Sequence, residues 1–442
     1  MTARPLLTRA AVASALLCSF AAGTVPPPVS ASVQPPSATI REVFELGPGV
    51  TLKVVQYPDT PLQVRILVVA PSQGATLDAL PAGSSYPVRR TPSSIAAANG
   101  VLAAVNGDFA STVDDRPMHA SLIDGELWTS GLRSGGGFGS SPDGSVAYAG
   151  NVRITIHGTS STGAFDVADW NVDAPSGASI DAYTARGGRI IGPPGTAAPD
   201  ASSPAFCAAR LVPLGPIGWS GANRRLLART FSVDEQPDPC PQTPLAIGST
   251  TGAVVLAGHA DTEGGATVRS LDPGAMVRLT WGVAGRPGIT DLTGGRPVLL
   301  VDGVNVAPPY TPDSGYLFDR NPRTAVGVTQ GCTDDVAKTR CRVIIVTVDG
   351  RQLDSSWSSG MRFPQLADLL ARQGAWDAVA LDGGGGTVMW TSLVSELYCQ
   401  SYPLVGGCRL NRPAVIAGTG ERITVGALGV RLGADPGESG LR

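Results

Sequence analysis

Residues 342–386 read RVIIVTVDGRQLDSSWSSGMRFPQLADLLARQGAWDAVALDGGGG. The opening run to Gly350 is rich in β-branched residues and ends in Asp-Gly, which predicts a buried strand entering a turn. A helix is predicted from Phe363. Pro364 suits its first turn, Leu366, Leu369 and Leu370 form one apolar stripe, and Gly374 stops it. WDAVALDGGGG (376–386) predicts a second strand, ending at Asp382 and four glycines. Strand, helix and strand in succession predict a right-handed crossover with the helix packed on a mixed sheet.

Toward the N-terminus, TLKVVQY (51–57) and QVRILVVA (63–70) read as strands. Ser93 to Ala98 reads as a helix with Gly100 just past its end, and VLAAVN (101–106) as a buried strand. Residues 157–300 are rich in Gly, Pro, Ser and Ala, with brief β-like runs such as AVVLAG and AMVRLTW. They predict a β-rich insertion or subdomain at about 150–310. The expected fold class is α+β: a mixed β-sheet core with few packed helices and a β-rich insertion in the middle.

The first 31 residues read as a signal peptide. Arg4 and Arg9 precede the apolar run Ala10 to Ala22, and Val29-Ser30-Ala31 supplies a small-residue cleavage site. The run is too short to span a bilayer. A lipid anchor on Cys18 is the rival reading, weakened by bulky Leu16 and Leu17. Residues 32–40 read as a linker, leaving 41–442 as the folded domain of a secreted, extracellular protein with no membrane span in the mature chain. Six cysteines then remain: Cys207, Cys240, Cys332, Cys341, Cys399 and Cys408. An even number in an exported chain predicts disulfides, with fifteen possible connectivities. Proximity favours 332–341 and 399–408, leaving 207–240. No pair has CxxC spacing and the chain has 3 histidines, which argues against a Cys/His zinc site. The net charge of -3 offers no polyanion-binding surface, so nucleic acid is not an expected partner.

Three strand-like segments end alike: VLAAVN before Gly107-Asp108, VIIVTV before Asp349-Gly350-Arg351, and AVAL before Asp382 and Gly383 to Gly386. A single Asn-Gly or Asp-Gly after a strand is commonly just a turn. Three together point to a site, because ligands gather at the carboxyl ends of strands in open α/β sheets. Consecutive glycines let a backbone approach a ligand and aim its N–H groups at an anion. Arg323, before the apolar AVGV, and Arg351 are candidates to clamp a phosphate through bidentate bonds.

These blocks also carry a family resemblance. AAVNGDF (103–109), IDGEL (123–127), NPRTAVGV (321–328), VTVDGRQ (346–352), LADLLARQGA and DAVALDGGGGTVM (377–389) stand in the order seen in the phosphodiester glycosidase family, and RPAV and ITVGAL resemble its closing strand. The resemblance implies hydrolysis of the bond between a sugar's anomeric carbon and a phosphodiester, with a phosphodiester-linked sugar or glycoconjugate as substrate. It implies a cavity lined by Asn106, Gly107, Asp108, Arg323, Thr324, Asp349, Gly350, Arg351, Asp382, Gly383, Gly384 and Gly385. The chain departs from the family at Ala110, where a second aromatic is common, and at Gly386, where a serine often follows. Asp382, Asp349 and Asp108 are the candidate catalytic carboxylates, since glycoside cleavage ordinarily uses two carboxyl groups and phosphate already leaves well. The sequence names no cofactor; a hard divalent ion, Ca or Mg, held by these Asp residues is a further expectation. The sequence lacks a GxSxG elbow, an HExxH, a P-loop and an SxxK pair. The competing readings are a non-catalytic polysaccharide- or wall-binding module and a phosphodiesterase that breaks P–O.

Overall fold

The computed structural model describes residues 39–57, 60–172, 177–187, 206–234, 240, 251–315, 317–332, 339–354, 356–404, 406–414 and 420–433. The expected signal peptide and residues 32–38 of the expected linker lie outside them. Residues 39 and 40 are not linker but the start of the strand Thr39–Gly47.

The segment 342–386 builds the centre of an eight-stranded sheet. Its strand order is Thr39–Gly47, Val50–Tyr57, Leu62–Val69, Val343–Val348, Arg323–Val328, Asp377–Ala380, Val298–Val301, Val304–Asn305. Val343–Val348 and Asp377–Ala380 run parallel to each other but never touch, because Arg323–Val328 lies between them, antiparallel to both. The crossover is therefore present, over an intervening strand, in a sheet whose neighbours all pair antiparallel. The parallel pair lies elsewhere, between Asp169–Trp170 and Asp181–Thr184.

Alternation sorts the strand residues onto two faces. Ile344, Val346 and Val348 pack with Leu366, Leu369 and Leu370 of the helix Phe363–Arg372. Val343 and Ile345 face the other way, with Leu67, Val326 and Val379, onto Val105, Met389, Leu428 and Val430. Those last residues belong to a six-stranded sheet ordered Ser401–Leu404, Gly407–Arg409, Met389–Thr391, Ala103–Asn106, Gly426–Leu432, Ala75–Pro81. The predicted helix near 93 is Pro92–Ala98, capped by Thr91, whose side chain accepts from the Ser94 amide.

The described strands between residues 154 and 283 form a nine-stranded sheet around Leu211, Phe231, Leu256, Leu279 and Trp281. It carries a short helix, Glu263–Arg269, that the sequence reading did not foresee. A five-stranded sheet, including Ser121–Ile123, Gly135–Ser140 and Asp291–Gly295, shares that core through Leu122, Leu127 and Leu292. Strands dominate, and the described residues contain three α-helices, the β-rich α+β class expected. None of these helices is long and apolar enough to cross a membrane. All three expected disulfides are formed: Cys207–Cys240, Cys332–Cys341 and Cys399–Cys408.

Candidate active site

The strand Ala103–Asn106 ends on a fully buried amide that joins three distant segments. Asn106 Nδ2 donates to the Asp382 carbonyl at 2.6 Å. Its Oδ1 accepts from Thr324 Oγ1 at 2.7 Å and from the Val388 amide at 3.2 Å. Asn106 and Thr324, expected to bind substrate, thus bind each other and fix the geometry around Asp382. Gly107 lies where backbones nearly touch. Its N–H donates to the Gly426 carbonyl at 2.9 Å and its carbonyl accepts from the Asp382 amide at 3.1 Å. A methyl group on Gly107 would stand 3.0 Å from Gly426 O, so a larger residue would have to push that backbone aside.

The strand Asp377–Ala380 stops short of Asp382, which leaves the sheet toward Gly107. The Asp382 side chain is buried and paired with Arg422, whose Nη2 also donates to the Gly383 carbonyl at 3.1 Å. Burial pushes the Asp382 carboxyl up from its ordinary value. Arg422 and the Gly383 amide oppose that shift, and the neighbouring charge of Asp108 adds to it.

Asp108 is held on both oxygens. Oδ1 accepts from the Phe109 amide at 2.7 Å and from His119 Nδ1 at 2.7 Å, and Oδ2 accepts from the His119 amide at 2.8 Å. His119 is 1% exposed, and its Nε2 is buried with no hydrogen-bond partner.

Asp349 sits in a nest of its own. Oδ1 accepts from Asn411 Nδ2 at 3.0 Å, and Oδ2 accepts from Trp357 Nε1 at 2.9 Å and the Arg412 amide at 3.1 Å. Burial raises its carboxyl from the ordinary value, while the nearby Arg65 charge and these bonds pull it down. Asn411 also donates to the Thr387 carbonyl and accepts from the Met389 amide, so Asp349 anchors the loop after the glycines. Three protein donors thus fix the Asp349 carboxylate, as three fix that of Asp108.

The expected two-arginine clamp is not formed as such. Arg323 is buried, donates to the carbonyls of Met361, Leu317 and Asp319, and stacks 3.7 Å from the Phe363 ring centroid. Burial and the neighbouring Arg351 charge push its guanidinium down to about 10. Arg351 is exposed, with a left-handed φ of 53°, and lies beside the glycine run. A methyl on Gly384 would stand 3.2 Å from its Nη1. Gly350 is buried against Gly360 and Pro322. Within the run, the Gly384 amide donates to the Pro322 carbonyl and the Gly386 amide to the Gly383 carbonyl. The Gly385 N–H has no partner among the described residues. The glycines offer one uncommitted amide, not a row of them.

The donor set does not suit the divalent ion considered from sequence. No three His, Cys, Asp or Glu side chains are placed to hold a metal ion among the described residues, and Asp382, Asp108 and Asp349 each face a different nitrogen donor. The sequence reading missed Arg422, His119 and Asn411. Arg422 directly precedes the ITVGAL block, where an arginine beside a strand was available as a signal. His119 and Asn411 carry none, because their partners Asp108 and Asp349 are brought to them by folding and not by local spacing.

The phosphodiester glycosidase family model matches residues 229–431. The match starts inside the nine-stranded sheet, in residues the sequence reading left uncovered, and does not reach Asn106, Asp108 or His119. No curated protein matches significantly. Among solved structures, a hypothetical protein from Synechocystis has a TM-score of 0.57 at 17% identity, over 86% of this chain and 62% of that one. This chain thus spans less than two thirds of that protein. A Burkholderia pseudomallei protein described as exported has a TM-score of 0.53 at 21% identity, over 86% and 74% of the two chains. These two likenesses concern the fold. The catalytic domain of zebrafish N-acetylglucosamine-1-phosphodiester alpha-N-acetylglucosaminidase, auto-inhibited by its pro-peptide, is more remote: TM-score 0.41 and 14% identity, over 89% and 87%. The family match takes in Asp349, Asp382 and Arg422, and over residues 229–431 this chain is similar to the phosphodiester glycosidase family.

Proposed function

We propose that the protein is an exported glycosidase that hydrolyses sugar-1-phosphodiesters of cell-envelope or extracellular glycoconjugates. The observation that carries this reading is the Asp382 site. A buried carboxyl whose proton affinity is raised lies within electrostatic reach of a second carboxyl, Asp108, and against Arg422, inside the family-matched segment. Raised proton affinity suits a general base, because it strengthens the pull on a water proton.

In the proposed reaction, a water oxygen forms a bond to the anomeric carbon and passes its proton to Asp382. The bond from that carbon to the phosphodiester oxygen breaks, and its electron pair stays on the phosphate. Arg351, Arg422 and the Gly385 amide are the groups suited to receive the charge that develops there. Asp108, held by His119, keeps Asp382 basic. The products are a free sugar and a phosphomonoester. Six paired cysteines support an oxidising, extracellular setting.

A panel of nucleotide-sugars and sugar–phosphate–sugar diesters tests the activity, with hydrolysis run in isotopically labelled water. Label in the sugar is expected. Label in the phosphomonoester would make the protein a phosphodiesterase, and glycan binding without turnover would make it a binding module.

A further inference from the structure

Beyond the Asp382 site, His119 forms one wall of a second cavity of about 220 Å³. Arg133, Arg153, Ser130, Asp169 and Gly135 line it as well. The Nε2 edge of His119 lies against Gly135, where an added methyl would stand 2.8 Å away. We propose that this cavity binds an acidic sugar unit, one ring bearing a carboxylate or a phosphate.

Three observations converge on that class of ligand. First, the side chains of Arg133 and Arg153 have neither a hydrogen bond nor an ion pair among the described residues. Two unpaired guanidiniums facing one space repel each other, and an oxyanion that accepts bidentate bonds from both relieves the repulsion. The single carboxylate in the lining, Asp169, does not do so; its Oδ1 accepts from Ser130 Oγ at 2.9 Å, and it pairs with neither arginine. Second, His119 Nε2 is a buried polar atom without a partner. Buried polar atoms in native folds are ordinarily satisfied, and an unsatisfied one is costly. A ligand hydroxyl donating to it would supply the missing bond. Third, the space is much larger than a bare ion needs and smaller than the roughly 300–1,000 Å³ of a drug-sized site, which suits one sugar ring. The Asp169 carboxylate, held by Ser130, then stands ready to accept from a ring hydroxyl.

The site is separate from the Asp382 glycines yet one side chain away from Asp108, because the same imidazole serves both. Binding here does not depend on the proposed hydrolysis and is measured without turnover. Calorimetric titration of the full chain with glucuronate, glucose 6-phosphate and neutral glucose separates the two anion types from the ring alone. One equivalent of at least one acidic probe is expected to bind, with glucose at least tenfold weaker. Arg133 and Arg153 are exposed, so R133Q/R153Q should melt like the parent. That variant should bind the acidic probe at least tenfold more weakly. Equal binding by parent and variant, equal binding of glucose, or no saturable binding of either acid would overturn the proposal.

Discussion

Asn106 and Asp382 divide structural and chemical work at the residue scale. Replacing Asn106 with Ala would orphan the Asp382 carbonyl and the Val388 amide, both buried, and each such loss costs on the order of 1–3 kcal/mol. Denaturant unfolding of N106A should show a loss of about 2–6 kcal/mol for the two together, with reduced activity because the Asp382 loop loses its anchor. Asp382→Asn keeps shape and removes the charge, so turnover should fall by roughly a hundredfold or more with little change in melting temperature. Arg422→Gln gives a sharper test. Burial raises the Asp382 carboxyl and Arg422 holds it down, so removing the arginine raises it further. A base must be deprotonated to act; the acidic limb of kcat/KM should therefore move to higher pH in R422Q. An unmoved limb would remove Asp382 from the role of base. Of these residues, the sequence points to Asp382, through a strand end followed by glycines, but not to the partners that tune it. Arg422 and His119 reach their carboxylates only through tertiary packing, which local spacing cannot encode.

At the scale of elements, legibility follows periodicity. Residues 343–348 alternate between the helix and the facing sheet, and the stripe of Leu366, Leu369 and Leu370 meets them, so that part of the fold is readable from residue order alone. The antiparallel strand between the crossover's two strands is not readable, since nothing in 342–386 records what inserts between its ends. The strand Asp291–Gly295 carries a group that sequence gives no reason to notice. Burial pushes the Asp291 carboxyl up to about 8, with the charges of Asp78 and Asp124 adding to the shift and hydrogen bonds from Thr290 Oγ1 and the Asp124 amide opposing it. Arg431, paired with Asp78, and Glu126 are the other charged groups acting on this cluster. The folded protein therefore keeps a proton that the unfolded chain has released. Stability from this group is complete below the ordinary carboxyl range and declines as pH rises to about 8. Asp291→Asn does not titrate but can still accept from the Ala79 amide. Its melting temperature should gain on the parent's steadily between about pH 5 and about pH 8. Parallel melting curves across that range would show that the carboxyl is not protonated in the fold.

At the scale of the whole molecule, the β-rich middle raises the question of independence. The composition of residues 157–300 predicts a separate insertion or subdomain, and residues 154–283 do build a sheet of their own. Yet its core continues without a break into Leu122, Leu127 and Leu292 of the five-stranded sheet, and residues 37–442 form one compact unit. Composition reports the change in residue usage; it does not report whether apolar surface is shared across the boundary. The disulfides offer a way to test that sharing. Cys207–Cys240 lies within the middle region and spans 33 residues, whereas the other two bridges each span 9. In a chain-entropy account the longer loop contributes about 3.7 kcal/mol and each short one about 2.6 kcal/mol. C207S/C240S should therefore destabilise more than C332S/C341S or C399S/C408S. Because the core is continuous, the loss should lower one common transition by a few degrees, detected alike by calorimetry and by aromatic circular dichroism. An earlier, separate transition confined to the middle region would show instead that its sheet folds on its own. The Asp382 site would then be expected to survive that first melt, and residual activity between the two transitions would measure it directly.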